Sequence, residues 1–522
     1  MTGAAAAPRA VGRAHADHLG TAVLILAVAL AYAPTLGNGL VWDDVPHIAD
    51  NPRLHDVGAA GTYLFHPEGA YYRPIVFLAF AAEHAAWGTA AVGYHVINLL
   101  LHIVNTLLVL WLARRTGVAP HAALFGAALF GLHPLQSEAV AYVSGRTDLL
   151  MTTGALLSWA ALLRPWSAVA RGGAAAAAGA LAMLSKESGY ALVLLWIWWG
   201  WRHGRSNAER IALIAPGVGI AVVLLALRPG ALPPLAIAST PARLAGVGQA
   251  LFTYVALVIW PRPLLIDRLT VLPQTPAAIA FGPVALLSAI GCAAYGLSRR
   301  GAAADWTAWT VAFYLPVANL IALYPALADR ALFTPEHNLY APLAGVGMLV
   351  ARSAERAAAR GPLRVRRAVL ASLFLLAFTW ASLTAARCAV WHDEERLFGA
   401  AVAAGAASPR VWFNYGNALL QRGAIDPAAE AFEGAAQRGP RDADIWTNLG
   451  VARQRQRSYD AAEHAYRRAA ELAPQDARIA ENLGTLYLAR GDIAAARAAF
   501  LQAVRLDPER ATAQRALAAI GR

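Results

Sequence analysis

An all-α membrane protein in two parts is predicted by three features of this 522-residue chain. Long apolar runs fill the stretch from Leu19 to Ala386, arginine clusters punctuate those runs, and a 34-residue period sets in near residue 410. The first two describe a polytopic helical bundle. The third describes an α-solenoid joined to it.

The apolar runs come first. A helix needs about 20 residues to cross the hydrocarbon core, fewer inside a packed bundle. On that basis about eleven spans are expected, at 19–36, 95–113, 121–133, 148–163, 174–185, 188–201, 210–228, 280–298, 304–323, 338–351 and 367–386. Two further apolar segments, 75–90 and 243–262, are placed as helices lying at or dipping into the outer interface. Arg9 and Arg13 ahead of Thr21–Ala33 resemble a secretory signal, but Pro34 directly after the candidate cleavage site argues for a retained first span.

The basic residues then fix orientation, because Lys and Arg concentrate in cytoplasmic loops. Arg9/Arg13, Arg114/Arg115, Arg164/Arg171, Arg202/Arg205/Arg210, Arg299/Arg300 and the run from Arg352 to Arg367 all fall on the inner side of this arrangement. An odd number of spans sends the C-terminal part outside. The formal charge of +12 is therefore a topological signal, and nucleic acid is not expected as a partner. The two cysteines, Cys292 and Cys388, make neither a disulfide framework nor a zinc site. Richness in alanine and arginine points to the cytoplasmic membrane of a bacterium.

From residue 391 onward charged residues and alanines alternate at helical spacing. Asn414-Tyr415-Gly416, Asn448-Leu449-Gly450 and Asn482-Leu483-Gly484 recur every 34 residues, as do Pro440, Pro474 and Pro508. Trp412 and Trp446 keep the same period. A 34-residue helix-turn-helix unit resembles the tetratricopeptide repeat (TPR), in which a glycine permits close helix packing and a proline ends the second helix. The chain thus divides at about 390: a membrane domain 1–390, then 391–522 with a half repeat at 391–408 and repeats at about 410–443, 444–477 and 478–511. Such an array suits a protein partner and does not say which one.

Ionisable residues gather on the outer side of the predicted bundle. Asp43 and Asp44 follow the first span, with Arg73 beyond them. His95 and His102 share one face of the second span with Asn98. His133, Glu138, Arg146 and Asp148 fall within sixteen residues, and Lys186-Glu187, Arg330 and Glu336-His337 follow other crossings. Charges at membrane ends that converge on one side read as a site. For any one of them a solvated loop end is an equal reading.

Here the sequence is similar to a known family, the transmembrane and tetratricopeptide-repeat (TMTC) protein O-mannosyltransferases of the GT-C superfamily. The resemblance rests on Trp42-Asp43-Asp44, Tyr72-Arg73-Pro74, Gly93 to Asn98 with Leu101-His102, His133 to Val140, Gly145 to Leu150 and Lys186-Glu187-Ser188-Gly189. It covers about 35–200 well and continues loosely to 350. His337 departs from it, standing where the family pattern has arginine.

The resemblance implies a GT-C-type bundle that takes a sugar, mannose by analogy, from a polyprenyl-phosphate donor to a Ser/Thr hydroxyl of proteins on the outer side, with inversion. Asp43 is expected as the base, with Asp44 supporting it or exchanging roles. Arg146, Lys186 and Arg330 are expected on the donor phosphate, with Arg73 and His102 second in line. His95, His133, Glu138, Asp148, Glu187, Glu336 and His337 are expected to support them. No cofactor is expected beyond the lipid-linked sugar, a divalent ion being the less favoured alternative. Two other readings stay open at this point: transfer to a glycan or lipid acceptor, and a non-catalytic TPR membrane scaffold.

Overall fold

The computed structural model describes residues 7–54, 56, 58–66, 71–229, 241–320 and 331–521. It forms two compact units, Met1–Leu264 with Thr270–Asp393, and Leu265–Leu269 with Glu394–Arg522.

The first unit is built from α1 (Ala7–Tyr32), α2 (Pro74–Trp87), α3 (Ala91–Arg115), α4 (Pro120–Leu132), α5 (Ser137–Ala141), α6 (Arg146–Leu162) and α7 (Ala168–Met183). It continues with α8 (Leu192–His203), α9 (Asn207–Leu227), α10 (Pro241–Ile259), α11 (Pro276–Ser298), α12 (Ala302–Tyr314), α13 (Tyr340–Arg360) and α14 (Leu363–Val390). Two three-residue strands, β1 (Leu269–Val271) and β2 (Ala331–Phe333), pair with each other and are the only strands among the described residues.

Apolar surface on this unit points to lipid. On α1, Leu19, Val23, Leu26 and Leu30 are exposed while Leu24, Val28, Ala31 and Tyr32 are buried. Leu370, Phe374, Leu375 and Phe378 on α14 are likewise exposed. Stripes of large aliphatic and aromatic side chains this long suit hydrocarbon, not water. Small residues instead sit where backbones meet. A Cβ on Gly248 of α10 would collide with the Gly282 carbonyl of α11, and one on Gly172 of α7 with the Ala212 carbonyl of α9.

Among the described residues, six helical segments are long and apolar enough to cross a membrane: Asp17–Gly37, Ala91–Arg115, Asn207–Leu227, Pro241–Ile259, Pro276–Ser298 and Leu363–Val390. The sequence reading differs in two respects. Pro241–Ile259, placed at the interface by charge, has the length and composition of a span. Several expected spans, α4, α7, α8 and α12 among them, have only 12–16 residues. Helices that short occur where irregular backbone at their ends is buried in protein, and the buried loop after α4 is such a case. Each of the eleven expected segments contains helix, although the end of 304–323 lies outside the described residues; among the described residues six helical segments combine span length with apolar composition, only five of which were placed as spans.

The second unit is a stack of antiparallel helix pairs. After α15 (Glu394–Ala403) come α16 (Pro409–Arg422) with α17 (Ile425–Arg438), α18 (Ala443–Arg455) with α19 (Tyr459–Leu472), and α20 (Ala477–Arg490) with α21 (Ile493–Leu506), closed by α22 (Ala511–Ile520). Each pair is pinned by a glycine on its first helix facing an aromatic ring on its second. A Cβ on Gly416 would lie 2.7 Å from Phe432, on Gly450 2.5 Å from Tyr466 and on Gly484 2.7 Å from Phe500. The rings recur every 34 residues, like the glycines. Within this unit Asp267, from Leu265–Leu269, bonds Ser408 and Arg410.

Candidate functional site

The connections after α1, α4, α7 and α12 carry most of the predicted residues, the rest lying on α3 and α6, and hydrogen bonds tie several of these segments to one another and to the end of α14. Asn38 Nδ2 donates to the Cys388 carbonyl at 3.0 Å, and the Gly39 amide to that of His392 at 3.0 Å. The Ile75 amide reaches the Leu184 carbonyl at 3.4 Å. These connections of the bundle thus form one surface.

The loop between α4 and α6 organises it. Pro134 ends α4 and holds His133 in extended backbone, and two short turns and α5 follow before α6 starts at Arg146. Gly145 is required there, since a Cβ would sit 2.5 Å from the Ala139 carbonyl oxygen. The amides at the end of this loop clasp Asp44. Its carboxylate accepts from the Ser144 amide and hydroxyl at 2.7 Å each, the Val143 amide at 3.3 Å and the Val41 amide at 3.4 Å. Asp44 is fully buried. Burial pushes its carboxyl up to about 7 against the pull of those hydrogen bonds, Ser144 foremost.

Asp43, by contrast, is half-exposed. Trp42 before it adopts φ +57°, an uncommon left-handed conformation for a non-glycine residue, so the backbone that leads into the two acids is strained. The Asp43 carboxylate lies within reach of the Tyr142 hydroxyl. Tyr142 is stacked between Trp42, 5.4 Å away, and Trp391, 5.5 Å away.

Arg146 is buried and fully engaged. Nε donates to Asn98 Oδ1 at 2.6 Å, one terminal nitrogen to the Tyr94 carbonyl at 2.8 Å and the other to Glu83, with Phe80 beneath the guanidinium. Lys186 Nζ bridges both oxygens of Asp148 at 2.7 Å. Arg73 holds Glu187 at 2.8 and 3.1 Å, lies over Tyr71, and is near enough to Asp148 to act on its charge. Burial would raise the Glu187 carboxyl, but the Arg73 guanidinium outweighs it and holds it below the ordinary carboxylate range. Arg73 and Lys186 with their two acids therefore make one group of balanced charge.

A second group forms around Glu138. Its carboxylate accepts from the His337 amide at 3.0 Å and pairs with Nδ1 at 2.8 Å. Burial works against its charge, yet His337 and, more weakly, Arg387 hold the carboxyl below its usual value. Glu336 is buried beside this pair in sequence.

The remaining histidines tie helices together. His102 bonds the Tyr340 hydroxyl at 2.8 Å and the Gly131 carbonyl at 3.0 Å through its two ring nitrogens. His95 Nε2 lies 3.4 Å from the Gly39 carbonyl. His133 bonds the Val258 carbonyl at 3.0 Å and packs on Trp380. Arg330 lies outside the described residues. Among the described residues no three His, Cys, Asp or Glu side chains converge as a metal site requires.

Sequence reading missed Glu83, Tyr142 and Arg387. Glu83 is the lone acid of the apolar helix α2, opposite the lone base that opens α6, and that complementarity was the available signal. Arg387, in the last turn of α14, is buried with Trp391 5.9 Å from its guanidinium.

Tetratricopeptide-repeat family models match residues 409–452, 447–511 and 481–521. The chain is 30% identical over 196 residues to protein O-mannosyl-transferase Tmtc1 of Drosophila melanogaster, covering 35% of this chain and 22% of that one. It is 24% identical over 473 residues to TMTC3 of Mus musculus, covering 78% of this chain and 50% of that one. The chain thus spans half or less of the length of these two relatives. Among solved structures, the Yersinia enterocolitica type III secretion chaperone SycD aligns at 21% identity with a TM-score of 0.21, over 21% of this chain and 89% of that one. The chain is a TMTC-like protein, an apolar helical bundle followed by tetratricopeptide repeats.

Proposed function

We propose that this chain is a membrane glycosyltransferase that moves a sugar, mannose by likeness to its relatives, from a polyprenyl-phosphate donor to a Ser or Thr hydroxyl of proteins outside the cytoplasm. The observation that carries the reading is the division of labour between two adjacent carboxylates. Asp44 is buried and clasped by loop amides, while Asp43 is left open to solvent beside Tyr142.

Asp43 then acts as general base. It takes the proton of the acceptor hydroxyl as that oxygen bonds to the anomeric carbon, and the bond from that carbon to the phosphate oxygen breaks. One displacement inverts the anomeric centre and releases polyprenyl phosphate. Lys186 and Arg73 are the cations for the leaving group, since their acids hold them in one group and phosphate offers an equivalent partner. Arg146, His102, His95 and His133 serve by positioning the loops. In this reading the repeats share the compartment of Asp43 and present the polypeptide acceptor.

The test is transfer of labelled mannose from polyprenyl-phosphate mannose to a Ser/Thr peptide by the chain in phospholipid nanodiscs. Transfer that survives Asp43→Asn removes the assigned base, and label found only in lipid or glycan removes the protein acceptor.

A further inference from the structure

The second unit contains a cavity of about 380 Å³ whose walls come from three helices of neighbouring repeats, α17, α18 and α19. Its volume falls in the range of small-molecule pockets, about 300–1,000 Å³. Trp446 and Leu449 supply apolar wall, and Glu433, Gln437, Arg453 and His464 supply the polar groups. Glu433 and Arg453 are paired with each other, so the polar wall carries little net charge. The indole of Trp446 is fixed by its Nε1 hydrogen bond to the Pro440 carbonyl at 3.0 Å, and His464 meets it edge-on at 6.3 Å.

The repeats supply an internal control. Trp412 occupies the same repeat position one period earlier, and there Arg438 lies over the ring at 4.1 Å while Gly434 lets the indole pack down on α17. One period after Gly434 and Arg438 stand Arg468 and Leu472, and one period after Trp446 stands Ala480. Of these three positions, the first has its tryptophan covered by arginine, the middle one has a tryptophan lining a cavity, and the third has no tryptophan.

We infer that this cavity binds a hexose ring of a glycosylated polypeptide. A rigid indole face suits the apolar C–H face of a pyranose. A rim of acid, amide, guanidinium and imidazole offers both donors and acceptors to its hydroxyls. A neutral rim also favours an uncharged ligand over a strongly charged peptide segment. The choice of mannose rests on the transferase reading above; the pocket would then hold product on the repeats.

The experiment measures binding of methyl α-mannoside, a mannosyl-threonine peptide and the same peptide unmodified to the full chain in phospholipid nanodiscs, by saturation-transfer NMR and calorimetry. The two sugar ligands should bind and the bare peptide should not. Trp446→Ala should weaken sugar binding by about tenfold or more, the scale of a lost aromatic contact. Ala461→Trp, at the exposed rim of the cavity, should block it without deleting any contact. Equal binding of bare and mannosylated peptide, or sugar binding untouched by both variants, overturns the proposal. Sugar transfer is read separately. A chain that binds mannoside at Trp446 but transfers no sugar overturns the transferase reading and leaves the pocket. One that transfers sugar but whose mannoside binding ignores Trp446 does the reverse.

Discussion

Charge is used in opposite ways in the two units. In the bundle, Arg146 pairs with Glu83 out of solvent, and Lys186 with Asp148 nearly so. In the solenoid, ion pairs such as Arg478 with Asp444 and Asp476 lie at the surface, with the Arg478 side chain 57% exposed. Buried pairs cost desolvation and persist where they fix a geometry, whereas exposed pairs contribute little. The bundle therefore spends stability on placing its loops. The solenoid draws its stability from repeated glycine-to-ring packing.

Predictions that break or sharpen this contrast run from large to small. Asp43→Asn should lower sugar transfer by about 10²–10⁴-fold, the range for a general base, with membrane insertion and thermal unfolding unchanged. Glu83→Gln should destabilise the bundle by about 3–5 kcal/mol, because it leaves Arg146 buried without its counter-charge; unfolding in nanodiscs reads this, and a loss below about 1 kcal/mol would make the pair incidental.

Gly450→Ala should cost about 1–3 kcal/mol by overpacking Tyr466, seen as a lower midpoint of the repeat transition by circular dichroism. Asp44 supplies a pH signature. Its folded carboxyl titrates near 7, above the ordinary value of about 3.9, so the native state binds the extra proton and stability falls as pH rises from about 4 through 7. Asp44→Asn should flatten that slope. Arg478→Ala should cost less than about 1 kcal/mol, and a large loss there would erase the contrast between the units.

Much of the candidate site is legible in the chain because intramembrane and membrane-end charges are rare enough to stand out. Asp43, Asp44, Glu138, Asp148 and Lys186 are visible this way. What stays hidden is who partners whom. Nothing in the spacing of Arg146 says that it is committed to Glu83, 63 residues earlier, instead of open to a ligand. Likewise His102 has the spacing of a polar stripe, and its role depends on Tyr340, 238 residues later in the chain. Helix placement misleads for a similar reason: the charge rule moved 243–262 to the interface, while the Gly248–Gly282 contact that packs α10 on α11 is a tertiary one.

By itself the sequence determines the apolar helices, the 34-residue repeat with its glycines and rings, and the candidate residues for the chemistry, because these follow from local periodicity and from the cost of charge in lipid. Only the tertiary structure decides which of two adjacent aspartates is clasped and which is open, and which tryptophan of the repeats is covered by arginine and which walls a cavity. Those outcomes depend on contacts between segments far apart in the chain, and no local pattern encodes them.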